Sequence, residues 1–135
     1  IHVQGGIAAR VTNSDGSRYF QLAQVDGGPW IVRGRNEPAL TCRTGTPLRV
    51  TQLPDRWYSV RFRVTQKSGL TRLRAKVWPV FGPQPPAWQV DCWTTLTTSA
   101  DTGSFALQRG GSGSVYFDDV AVLPVTGTIE PIPPP

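Results

Sequence analysis

Residues 57–78, WYSVRFRVTQKSGLTRLRAKVW, decide how the rest of the chain is read. Tyr58, Val60, Phe62 and Val64 alternate with Trp57, Ser59, Arg61 and Arg63; further on, Thr71, Leu73, Ala75 and Val77 alternate with Arg72, Arg74, Lys76 and Trp78. Period-two alternation predicts two strands of a sheet with one face in a core and one toward solvent. A turn centred on Lys67 and Ser68 makes them a hairpin, setting Phe62 opposite Leu73 and Tyr58 opposite Val77. A slip of one residue would bring Leu73 against Arg63, so burial selects this pairing over that one. The outer face then sets Arg61 against Arg74, Arg63 against Arg72 and Trp57 against Trp78. Like charges directly opposed destabilise a ladder, so this basic stripe calls for an anionic neighbour. Neighbouring carboxylates, plain water or a ligand would each serve.

The composition agrees with a β protein. The 135 residues suit one domain with an ordinary core. Only 17% are charged, Gly and Pro number 14 and 13, and Met is absent. Such a mix favours turns and strands over helices. No apolar run is long enough to span a membrane, and no secretory leader is read. The opening Ile1-His2-Val3, in place of a methionine, reads as a processed or excised piece. A net charge of +5 is spread along the chain without a nucleic-acid motif.

Turn signals at 13–16, 26–29, 36–38, 44–47, 101–103 and 110–113 separate short strands at 7–11, 19–25, 30–33, 40–43, 48–53, 88–93, 104–108 and 115–123. Residues 79–86, PVFGPQPP, hold too many prolines for a ladder and form an ordered loop. This spacing predicts an antiparallel β-sandwich or barrel over residues 1–124, followed by an extended Pro-rich tail or linker over 125–135.

Cys42 and Cys92 lie 50 residues apart, and the one histidine is His2. Zinc is therefore not expected. A disulfide would suit an extracellular domain, supported by low charge and Thr/Pro richness; in a reducing compartment the two would be buried thiols. The two glutamates, Glu37 and Glu130, each precede a proline, and no set of acids alternates along one strand as glycoside hydrolysis needs. With no supportable Ser-His or Cys-His pairing, an enzyme is not expected.

The order GIAARV, RYFQLAQ, RWYSVRFRV, TRLRAKVWP, PPAWQV, TGSFAL, GSVYFDDVAV resembles the concanavalin A-like, laminin-G-like jelly rolls of secreted and cell-surface proteins. It covers roughly residues 5–122. The resemblance implies two packed antiparallel sheets, a non-catalytic role and binding to glycans or surfaces. Members carry further strands before the position of Gly5, so it also implies missing N-terminal strands and an exposed edge. In such sandwiches a carboxylate of the closing strand helps hold a structural Ca²⁺, for which Asp118 and Asp119 are the candidates. Without identifiable ligands from the first half, a bulge cap or an arginine partner is the favoured reading, and no cofactor is expected.

Trp57, Arg61, Arg63, Arg72, Arg74, Lys76 and Trp78 form the candidate site, for a glycan or another anionic partner. Tryptophan faces stack on pyranose rings, and cations suit acidic groups; scaffold packing of both tryptophans is the competing reading. The expectation is a secreted or cell-surface module for carbohydrate recognition or adhesion. The alternative is a subunit of an extracellular filament, built by strand exchange through the tail.

Overall fold

The computed structural model describes residues 3–12, 17–24, 28–44, 48, 56–67, 69–95, 104–111 and 114–125. Eight strands form in chain order: β1 (Val3–Thr12), β2 (Arg18–Gln24), β3 (Trp30–Arg35), β4 (Thr41–Thr44), β5 (Tyr58–Lys67), β6 (Leu70–Pro79), β7 (Val90–Thr95) and β8 (Ser104–Gly111). They make two antiparallel sheets of four, β3-β2-β1-β8 and β4-β7-β6-β5. The predicted all-β sandwich is what the chain builds.

The core lies between the sheets. Phe20, Leu22 and Val32 from the first sheet meet Leu73, Ala75, Val77, Val90 and Cys92 from the second. All are almost fully buried, and each large apolar side chain so placed contributes about 1.5–3 kcal/mol relative to exposure. Leu48 bridges to Trp30 by a 2.8 Å backbone hydrogen bond, tying the β3 edge to residues just beyond β4. Cys42 and Cys92, direct partners in the β4–β7 ladder, form the predicted disulfide.

The central hairpin keeps its two faces but not its predicted pairing. Lys67 pairs with Leu70, so two residues close the turn, and Gly69 adopts φ 75°. A positive φ costs glycine no steric penalty, and that places the turn one residue later than expected. Val64 therefore faces Leu73, Phe62 faces Ala75 and Val60 faces Val77. The shift moves every partner by two, which leaves each side chain on its own face; burial could not tell the two registers apart. On the outer face Arg63 opposes Arg74, Arg61 opposes Lys76 and Thr65 opposes Arg72. Trp78 opposes Ser59, while Trp57 lies just before β5, where its carbonyl accepts from the Val80 N–H at 3.1 Å. The expected Trp57–Trp78 rung is thus replaced by a diagonal.

Two further expectations change. Strand β1 carries an irregularity in both of its ladders around Arg10, which sits at φ 54°. Such a kink inserts an extra residue and sharpens local twist. The predicted closing strand at 115–123 is not a strand: residues 114–125 run without ladder partners, and Asp119 takes φ 52°. Most of the 48–53 strand, the 13–16 and 101–103 turns and the tail at 126–135 lie outside the described residues.

Candidate functional site

The outer face of the second sheet is covered over its middle. Residues after β6 turn at Pro79–Gly82, where the Gly82 N–H donates to the Pro79 carbonyl at 2.9 Å, and then fold back along β6. Gln89 fastens the return: its N–H donates to the Ala75 carbonyl at 3.0 Å, and its Oε1 accepts from the Val77 N–H at 2.6 Å. Lys76 Nζ donates to the carbonyls of Pro85 and Pro86 at 2.6 and 3.2 Å. This loop lays Trp88 against the basic stripe. Arg63, Arg74 and Lys76 each place their charge 5.1 Å from its ring centre. A cation over an indole face is attracted by the ring quadrupole, about 0.5–2 kcal/mol each according to desolvation.

The fourth cation has a carboxylate. Arg72 donates through Nε and NH2 to both oxygens of Asp91, each at 2.7 Å. Asp91 stands opposite Arg74 on β7, so its carboxylate reaches Arg72 along the diagonal. Both side chains are about nine-tenths buried. Of the seven predicted ligand residues, Arg72, Arg74 and Lys76 are therefore buried, Arg63 is half-buried, and Trp78 is half-buried. Trp57, 53% exposed, and Arg61 remain open at the end of the hairpin. The neighbour demanded by the stripe is Asp91 together with the Trp88 ring. Trp88→Ala should uncover the three cations: retention on a sulfated polysaccharide column rises, and stability falls by about 1–2 kcal/mol. Unchanged retention would mean that the indole does not mask them.

A second face gathers polar groups that the sequence reading passed over. On the outer side of the first sheet, β2 presents Tyr19 and Gln21, β3 presents Arg33 and Arg35, and β8 presents Gln108. Tyr19, Gln21, Arg33 and Arg35 line, with Gly34 and Asn36, a groove of about 400 Å³, and Gln108 adjoins it through Gln21. Its floor is fixed by side-chain hydrogen bonds across three strands. Arg33 Nε donates to Gln21 Oε1 at 2.6 Å, and Gln21 Nε2 donates to Gln108 Oε1 at 2.8 Å. Arg35 NH1 donates to Tyr19 Oη at 3.4 Å and its guanidinium lies 5.9 Å from the Tyr19 ring centre. Tyr19 and Gln21 are buried, whereas Arg33 and Arg35 are exposed. Burial by itself would raise the Tyr19 pKa; hydrogen bonds from Arg35 and Gln108 and the charges of Arg35 and Arg33 outweigh it and hold the phenol below its ordinary value. Only part of the signal was available: Tyr19-x-Gln21 keeps one parity in the strand predicted at 19–25, whereas the strand predicted at 30–33 stops short of Arg35, which β3 includes.

Asp118 and Asp119 lie in the exposed run after β8, where Asp118 Oδ1 accepts from the Asp119 N–H at 2.8 Å. Among the described residues no group of three or more His, Cys, Asp or Glu converges on a metal position. The described residues also include no helix long and apolar enough to cross a membrane. Comparison with known proteins returns no matching family model, no matching curated protein and no matching solved structure.

Proposed function

We propose that this chain is an extracellular, non-catalytic recognition module of the laminin-G-like kind, binding carbohydrate that carries carboxylate or sulfate groups. The observation that carries the reading is the groove on the β3-β2-β1-β8 sheet, with its two exposed guanidiniums over a hydrogen-bonded floor. Arg33 spends Nε on Gln21, which holds the guanidinium plane and leaves the terminal NH2 groups for a bidentate oxyanion. Arg33 and Arg35 lie two residues apart on one strand face, roughly 7 Å along the chain, so two acidic groups could be held at once. Gln21, its amide spent on Arg33 and Gln108, and Tyr19, bonded to Arg35, brace the two arginines from below. The Cys42–Cys92 disulfide supports an oxidising, extracellular setting.

The test is titration with heparin and with polygalacturonate, using a neutral glucan as control. Binding should weaken with salt, and Arg33→Ala should cost about tenfold or more, the scale of one charge-assisted hydrogen bond. Trp57→Ala and Arg61→Ala should leave affinity unchanged, since they belong to the other sheet. The tyrosinate absorbance gives an independent readout. Tyr19 ionises below the ordinary tyrosine value in the free protein and shifts upward when a bound anion opposes the phenolate. Tyr19→Phe removes that transition. No binding by either polyanion, or binding indifferent to Arg33, would sink the proposal.

A further inference from the structure

The sandwich is closed on one side and open on the other. The Trp30–Leu48 bridge closes the side where β3 and β4 are the edges, so β8 and β5 border the opposite side. There the core-facing residues lose their cover. Leu107 pairs with Ile7, which pairs with Leu22, so Leu107 and Phe105 point inward from β8; yet they are 41% and 37% exposed. Val60, Phe62 and Val64 of β5 are only half-buried, whereas their β6 partners Val77, Ala75 and Leu73 are fully buried. Among the described residues no strand pairs with the outer edge of β5.

The same chain carries a segment that lacks the complementary partner. Residues 114–125, SVYFDDVAVLPV, are mostly apolar but almost wholly exposed, with Tyr116 at 76% and Leu123 at 80%. Its root is fixed: Val115 fills the space beside Gly5 on β1, where a Cβ would stand 2.9 Å from Val115 Cγ1. Beyond Val115 the segment leaves its own sheets. Exposed apolar surface on this scale marks an interaction site.

We propose that residues 116–123 of one copy add as a β-strand to the edge of β5 in a second copy. The charges fit. Four acidic residues are described: Glu37 is bridged to Arg18 and Asp91 to Arg72, while Asp118 and Asp119 form no salt bridge among the described residues. This acidic pair sits between two apolar runs, 115–117 and 120–123. The outer face of β5 presents Arg61, exposed, and Arg63, half-buried. The lengths fit too, since eight residues span roughly 26 Å and β5 has ten residues. Asp119, at φ 52°, serves as the bulge between the runs. Because each copy holds both donor and acceptor, reciprocal exchange closes a dimer and one-way exchange builds a chain of subunits. This association is independent of the groove, which lies on the outer face of the other sheet.

Sedimentation equilibrium of the full chain tests it. The expected species has twice the 14.8 kDa monomer mass or a higher multiple. Val120→Asp combined with Val122→Asp changes residues that are exposed in the subunit, so near-ultraviolet circular dichroism should be retained while the mass falls to that of a monomer. Arg61→Glu and Asp118→Lys should each weaken assembly at least tenfold, and the two together in one chain should restore it. A wild-type monomer would overturn the proposal. So would assembly that survives the valine pair, or charge variants that fail to rescue each other.

Discussion

Asp91→Ala should unfold this protein more readily than any other single change of a polar side chain described above, at a cost of about 3–5 kcal/mol. The reason is asymmetry. The Arg72 guanidinium is buried beside β7 with its Nε and NH2 both committed to Asp91 at 2.7 Å. Truncating the carboxylate leaves a positive charge in a site already crowded by Arg74, directly opposite Asp91, and by Arg63 and Lys76 around Trp88. Removing both members of the pair is a different matter. Arg72→Met with Asp91→Leu takes away the charge together with its partner, and we expect most of the loss to be recovered. Urea denaturation of the two variants checks the claim. Equal destabilisation by the single and the double change would mean that the pair acts through packing rather than through charge.

The second large effect concerns the disulfide. Cys42 and Cys92 close a loop of 50 residues that contains β5, β6 and the Trp88 loop. Cross-linking so long a loop removes many conformations from the unfolded chain, and its loss from a small domain costs about 2–5 kcal/mol. The neighbouring contacts give little reserve. Strand β4 is four residues long, sits at an edge and is mostly exposed, so the bridge is its main covalent and apolar tie to β7. Cys42→Ala with Cys92→Ala should lower the thermal midpoint sharply, and reduction of the native protein should do the same. A midpoint unmoved by both would show that the β4–β7 ladder and the core carry the edge alone.

Much of the scaffold was legible because burial writes a period of two. Val60, Phe62, Leu73, Ala75 and Val77 were assigned to the core face, and all sit there. The register was not legible from that pattern, because a two-residue shift preserves both faces; only Gly69, with its positive φ, distinguishes the turns. The fate of the arginines was half legible. An anionic neighbour was expected, but Asp91 lies on a strand 19 residues from Arg72 and reaches it diagonally. Nothing local announces that Trp88, after a run of prolines, will lie across Arg63, Arg74 and Lys76. The groove was hidden for a related reason. Tyr19 and Gln21 fall within one predicted strand, and only the pairing of β2 with β1 and β3, and of β1 with β8, brings Arg33 and Gln108 beside them. At 115–123 the apolar runs on either side of Asp118 and Asp119 read as a strand, but they join no ladder among the described residues.

The place of β1 between β2 and β8 has a consequence for how the chain is made. Its first neighbour follows within a few residues, but Ile7 meets Leu107 only after a further hundred residues have been added. During synthesis, the first three strands can therefore pair while one side of β1 still presents its unbonded amides and carbonyls. In the second sheet β5, β6 and β7 are adjacent both in order and in space, and only β4 waits, Cys42 meeting Cys92 50 residues later. Loop closure is cheap for the near pairs and slow for the distant one, so the two halves of the sandwich mature on different clocks. A chain cut short before Ser104 would keep the whole disulfide loop and still leave its first strand with a raw border.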